Sequence, residues 1–158
     1  MADQPIKIPL KIILWSGLLV GTLDLLSAFV DVYISGKDPL LVLNFIATGA
    51  FGKTTLATGT TGQIAGFVFH YLIAFAFTFL FFWLYPRMEI MRRNWLLTGI
   101  VYGIFIWVIM NLIVVRLSHI QSRPLSAIQL KNVVKGGLIL IGMIGLPLSF
   151  IAKKTAAQ

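Results

Sequence analysis

The sequence contains no cysteine, and its 158 residues hold only five acidic side chains and two histidines. Without cysteine there is no disulfide framework, no thiolate metal site and no thiol nucleophile, and the redox compartment leaves no trace. His-Glu-x-x-His and Gly-x-Ser-x-Gly are both missing, so the common metalloprotease and serine-hydrolase signatures are excluded. His70 and His119 fall on the same side of the membrane in the reading below, and a metal there would have to add Asp24 or Asp31. No third histidine supports such a centre, so neither metal nor other cofactor is expected. Charge is scarce as well: 11% of residues are charged, against about 25% in a soluble domain. A soluble fold of this composition would leave a large apolar surface in water.

What the chain does have is long apolar runs. It is 58% hydrophobic, with a mean hydropathy of +0.93. A helix needs about 20 apolar residues to cross the hydrocarbon core. Four segments meet that length: Ile12–Ile34, Ile64–Tyr85, Trp95–Leu117 and Val133–Ala152. Pro39–Phe51 is apolar but too short to span, and it contains Asn44, so it reads as a short interfacial or re-entrant helix. The expected fold is a single all-α integral membrane domain over residues 1–158, with four transmembrane helices and this short helix between the first two. Lys7 and Lys11 precede the first run in the manner of a signal peptide. No small-x-small cleavage pattern interrupts that run, so it is read as a retained helix.

The net charge is +8. The basic residues lie between the apolar runs rather than along one face, so the expected partner is anionic lipid and not nucleic acid. With four spans, both termini and the middle loop share one side, which holds Lys7, Lys11, Arg87, Arg92, Arg93, Lys153 and Lys154. The opposite side holds Lys37, Lys53, Arg116, Arg123, Lys131 and Lys135. By the positive-inside rule the compact Arg87/Arg92/Arg93 loop is expected to place both termini in the cytoplasm.

The polar residues at membrane depth are unevenly spread. Asp24 and Asp31 share a face of the first span. His70, Asn111, Arg116 and the Asn44 of the short helix all map to the half of the membrane far from the termini. An ionised Asp at the bilayer centre costs about 2.5–3.5 kcal/mol on insertion scales. Asp24 is therefore expected to face the bundle interior, to be protonated or to find a partner, with His70 and Asn111 at suitable depths, while Asp31 and Arg116 could pair nearer the interface. Two explanations stand side by side: a polar cavity open to one side, or a hydrogen-bonded cluster that fixes helix register.

Ala47-Thr-Gly-Ala-Phe-Gly52-Lys53-Thr54 matches a loosened phosphate-loop pattern. That chemistry needs a strand before the loop and a helix after it. An apolar segment precedes this motif and a membrane span follows it, so no nucleotide site is expected; Gly49, Gly52, Gly59 and Gly62 are read as turn residues. Small-residue pairs, Gly17-xxx-Gly21 and Gly99-xxx-Gly103, lie at similar depth on the first and third spans, which are expected to touch there. Gly62-xxx-Gly66 opens the second span. Gly142, Gly145 and Pro147 should bend the fourth.

The segments Gly21-Thr-Leu-Asp24, Leu43-Asn-Phe-Ile-Ala-Thr-Gly49-Ala-Phe-Gly52-Lys53, Phe69-His70-Tyr71-Leu-Ile-Ala-Phe, Gly99-Ile-Val-Tyr102-Gly103 with Val108-Ile-Met-Asn111, and Gly145-Leu-Pro147 together resemble a family of small uncharacterised bacterial inner-membrane proteins, loosely similar to the YagU type. They run over most of residues 17–152. One departure is Arg116, which stands where the family pattern would put proline in Val-Val-Pro-Leu-Ser. The resemblance implies a membrane location and four helices, and it brings no activity, substrate or cofactor.

Three functions are compatible with this reading. The first is binding or conduction of a small solute, ion or proton through a polar half-membrane cavity. The second is a non-catalytic accessory or scaffold role. The third is a membrane-embedded enzyme acting on a lipid or quinone, with Asp24 and His70 as acid and base. The balance leans away from an enzyme. Four short helices enclose little volume, so a transport pathway is expected to require a homo-oligomer or a membrane partner.

Overall fold

A computed structural model of the protein describes residues 8–119 and 130–156, so Lys7 and Arg123 of the charge comparison lie outside the described residues. The described residues form helices and turns with no strand. In chain order the helices are α1 (Leu10–Ile34), α2 (Leu41–Phe51), α3 (Gly59–Leu84), α4 (Glu89–Arg93), α5 (Trp95–Leu117) and α6 (Leu130–Ala156). α1, α3, α5 and α6 are 25, 26, 23 and 27 residues long and apolar enough to cross a membrane. At 1.5 Å per residue each reaches roughly 35–40 Å, beyond the hydrocarbon core of about 30 Å. α2 is the short apolar helix between the first two spans.

Local chemistry explains where these helices stop. Gly36, Gly52 and Gly59 have φ of 74°, 71° and 58° and make the turns on either side of α2 and into α3; a side chain there would be strained. Gly49 and Gly62, also expected to turn the chain, lie instead inside α2 and α3. α5 starts at Asn94, whose Oδ1 accepts hydrogen bonds from the backbone N–H groups of Leu96 (3.1 Å) and Leu97 (3.2 Å), satisfying two of the donors that open a helix.

Two spans are not regular. α5 carries a π-turn at Met110–Val114 and α6 one at Ile141–Gly145, each closed by an i→i−5 backbone hydrogen bond. In α6 Pro147 supplies a reason: it has no N–H to give to the preceding turn, and widening that turn redistributes the backbone bonds. Nothing in the sequence of α5 marks its π-turn.

The glycines decide which helices touch. On Gly17 a Cβ would strike the Phe75 ring, and on Gly21 it would meet Tyr71 and Ala74, so this pair seats α1 on α3. On Gly99 and Gly103 a Cβ would meet Gly145, Leu146 and Ile141, so that pair seats α5 on α6. The expectation that the first and third spans meet through these glycines is therefore incorrect. Each pair is consumed by a neighbour of opposite direction, where antiparallel backbones can approach along their length. Gly62 and Gly66 receive the turn at Ala57 and the backbone of Leu43, holding α2 against the start of α3.

The packed core lies in the half nearest the chain ends. Val20, Phe81, Tyr85, Tyr102, Leu148 and Ala152 form its centre. Hydroxyls tie the helices together there: Tyr102 donates to the Phe77 carbonyl at 2.6 Å, Ser149 to that of Trp95 at 2.6 Å and Thr98 to that of Met91 at 2.8 Å. Outward-facing Leu14, Leu18, Leu72, Val101 and Ile104 are exposed, as lipid-facing surface should be. At the same end Arg87 lies over Trp83 (4.4 Å) and Lys153 over Trp95 (5.8 Å), cationic and aromatic groups suited to a membrane interface.

Candidate functional site: a cavity in the far half of the bundle

The site begins where α1 meets α3. Because Gly21 has no side chain, the imidazole of His70 reaches its carbonyl, with Nε2 2.8 Å from the oxygen. One residue along on each helix, Thr22 Oγ1 and the Tyr71 hydroxyl are 2.7 Å apart. Asp24, one turn beyond Gly21, lies within electrostatic reach of His70. Among the described residues the carboxylate accepts no hydrogen bond, and the bond from Ser27 goes to the backbone carbonyl of Asp24.

Asp24 and His70 both face a cavity of about 500 Å³. α3 contributes Phe69, Ile73, Ala74 and Phe77 to its wall, and α5 contributes Ile106, Met110, Ile113 and Val114. α2 closes one side with Phe45, Ile46, Gly49 and Ala50, and α6 adds Leu140 and Ile144. Ser118 is the remaining polar residue of the lining. Both π-turns border this space, since Met110, Ile113 and Val114 belong to one and Ile144 to the other. π-turns are frequent at functional sites because they displace side chains from the regular helical track.

The two ends of the cavity differ. Toward the chain termini it is shut: Tyr102 bridges to Phe77, and Phe81 packs edge-on against Tyr102 with ring centroids 4.8 Å apart. Ser118 and Leu117 line the cavity toward the opposite membrane surface. There the end of α5 is tied to α2 through the His119 N–H, which donates to the Gly49 carbonyl at 3.1 Å.

The structure brings together some of the residues expected to form the site and separates others. Asp24 and His70 share the cavity, with the histidine's hydrogen bond going to Gly21 rather than to the carboxylate. Asn111 is not part of the lining; its amide donates to the Trp107 carbonyl at 2.9 Å, one turn back on its own helix. Asp31 does not pair with Arg116. Lys135 of α6 takes it, Nζ to Oδ1 at 2.6 Å, and both side chains are nearly half exposed. Arg116 is exposed. Asn44 points away from the cavity's polar end, and its Nδ2 donates to the carbonyls of Ala57 (3.2 Å) and Gly59 (3.0 Å), fastening α2 to the turn before α3.

The sequence reading missed the character of the walls. The far half does hold a cavity, but its lining is overwhelmingly apolar rather than polar. No periodicity could have distinguished cavity-lining from lipid-facing Phe and Ile, because both surfaces are apolar. The partner of Asp31 lies 104 residues away and carries no local signal. The phosphate-loop lookalike is the C-terminal end of α2, where carbonyls rather than N–H groups point outward. A second, more open groove of about 450 Å³ runs along the outside of α1 and α6 past Leu23, Leu26, Val30 and Ile139.

Comparison with known proteins finds no matching family model and no significant match among curated proteins or solved structures. The geometry of the cavity is what remains to read.

Proposed function

We propose that the protein binds a small, largely apolar molecule in its far-leaflet cavity, with a polar group of that molecule held at Asp24 and His70. The observation that carries this reading is the contrast between the two halves of the bundle. The far half encloses about 500 Å³ behind an apolar wall with two polar side chains converging at mid-depth, the usual composition of a small-molecule site. The near half holds the buried core around Val20, Phe81 and Tyr102. A conducting path needs polar groups across the whole bilayer, and the near half offers Tyr102 and Phe81 in its place, so a binding role is favoured over conduction of ions or protons.

The test uses an alkyl probe bearing a diazirine, photolysed with the purified protein in nanodiscs and mapped by peptide mass spectrometry. Saturable labelling is expected at Phe45, Phe69 or Ile113. It should vanish when Ile46→Trp and Ile113→Trp fill the space, while labelling of lipid-facing Leu18 and Leu72 persists. Labelling confined to the lipid-facing positions, or unchanged by the filled cavity, overturns the proposal.

Kinship with the YagU-type inner-membrane proteins, a bacterial cytoplasmic membrane location and cytoplasmic termini belong to the same proposal. They rest on the segments resembling that family and on the basic Arg87/Arg92/Arg93 loop. Association with a second copy or another membrane protein is supported by Gly137 and Gly142 of α6, which have open space where a Cβ would stand and so permit close helix approach.

A further inference from the structure

The polar end of the cavity restricts the chemistry of what it can hold. A carbonyl oxygen has no proton to give, so in the 2.8 Å contact with Gly21 it is Nε2 of His70 that donates. In the tautomer that carries its one proton on Nε2, Nδ1 is an acceptor on a ring that borders the cavity. Asp24 brings carboxylate oxygens that accept nothing from the described residues, and it too borders the cavity. Asp24 and His70 thus share the cavity at mid-membrane, and among the described residues no Lys or Arg lines the same space. Ser118, the remaining polar residue of the lining, follows the end of α5, about 12 residues beyond mid-depth Ile106 and so roughly 18 Å away along the helix.

These features sort ligand headgroups. A carboxylate or phosphate brought to Asp24 would be an anion beside a carboxyl group with no cation to offset it, deep in a low-dielectric space. An ammonium would have to shed its water at the bilayer centre, and beside a protonated Asp24 it would find no counter-charge there. A ketone or ether offers acceptors only, and would leave Asp24 and His70 without a hydrogen bond. A hydroxyl has what the site lacks: one proton to give, no charge to bury and a small volume. Above it the walls of Phe69, Ile73, Met110 and Ile113 match an acyl, isoprenoid or ring-bearing body.

Building on the binding role proposed above, we propose that the ligand is a neutral, hydroxyl-bearing hydrophobe, whose O–H donates into the Asp24–His70 pair while its apolar body fills the space beneath α2. Long-chain alcohols, diacylglycerol-like lipids and quinols share this chemistry.

The closing experiment measures competition against the diazirine alkyl probe with four tetradecyl compounds of equal chain: 1-tetradecanol, its methyl ether, tetradecanoic acid and tetradecyl phosphate, at pH 8. The alcohol is expected to compete at least about tenfold more strongly than the methyl ether, the loss expected when one buried hydrogen bond worth about 1.4 kcal/mol is removed. It should exceed the two anions by more. Asp24→Asn, which adds an amide donor and removes the carboxylate, should raise the relative potency of tetradecanoic acid and lower that of the alcohol. Equal competition by alcohol and ether, or preference for an anion, overturns the hydroxyl assignment while leaving the cavity-binding role intact. If none of the four competes with probe labelling at Phe45, Phe69 or Ile113, the cavity-binding role itself falls.

Discussion

Asp24 and Asp31 have the same chemistry and sit two turns apart on one helix, yet they do different work. Asp31 is near water and bridges to Lys135 with both partners nearly half exposed. Such a pair contributes roughly 0.2–1 kcal/mol. Asp31→Asn should therefore lower thermal stability in detergent only slightly, Lys135→Gln should add little further loss in the double mutant, and Arg116→Ala should leave the pair's coupling untouched. A coupling energy between Asp31 and Arg116 larger than that with Lys135, in a double-mutant cycle, would contradict the assignment. Asp24 is deeper and lies beside a cavity. Replacing it together with His70, as Asp24→Leu with His70→Leu, should leave folding neutral or improved, since apolar residues often substitute for buried polar pairs without loss, and should remove the preference for 1-tetradecanol over its methyl ether. At Gly145 the constraint is steric: a Cβ there would fall on the carbonyl oxygen of Gly99. Gly145→Val should cost at or above the upper end of the about 1–3 kcal/mol typical of overpacking, read as a drop in unfolding temperature, because backbone cannot swing aside as a side chain can.

At the scale of elements, α2 is the piece on which access to the cavity depends. It is too short to span, walls the cavity with Phe45, Ile46, Gly49 and Ala50, and is held by Asn44 at one end and by the His119–Gly49 bond at the other. Asn44→Ala removes two hydrogen bonds and should cost about 1–3 kcal/mol, with the loss concentrated in α2. The natural absence of cysteine makes this direct to measure: Ala50→Cys, as the sole thiol, should react with a maleimide severalfold faster when combined with Asn44→Ala. An unchanged rate would mean that packing on Gly66 and the His119–Gly49 bond hold α2 without Asn44. The existence of α2 was legible as a short apolar run bounded by Pro39 and Gly52. Its role as a wall was not, since that depends on which way α3 and α5 diverge. The π-turn of α6 falls where Gly142, Gly145 and Pro147 were expected to disturb the helix, whereas the π-turn of α5 has no proline or glycine within it.

For the whole molecule, the four spans place Gly36 of the α1–α2 turn on one side of the membrane and the α4 loop with the end of α6 on the other. Reporter fusions after Lys154 and within Met88–Asn94 should both read cytoplasmic, and an insertion at Gly36 should read external. Opposite readings from the first two would be incompatible with four spans, and a cytoplasmic reading at Gly36 would reverse the orientation. Arg87 over Trp83 and Lys153 over Trp95 put charge and aromatic groups at the same end, as a shared interface requires.

What the sequence determined by itself is the solvent and the number of crossings. Runs of more than 20 apolar residues have no stable alternative to spanning helices in lipid, because each backbone polar group must be satisfied within its own segment. The sequence also located the polar residues in one half of the membrane, since depth follows from position along a helix at a fixed rise per residue. What only the tertiary structure decided is the pairing. Glycines that could seat any helix were assigned to particular neighbours, Asp31 went to Lys135, Asn111 and Asn44 turned to backbone carbonyls, and the space beside Asp24 proved apolar. In a membrane protein the lipid-facing and core-facing sides of a helix are equally hydrophobic, so the pattern that tells inside from outside in water is erased. The close approach of backbones, which depends on all four helices at once, settles what a one-dimensional pattern leaves open.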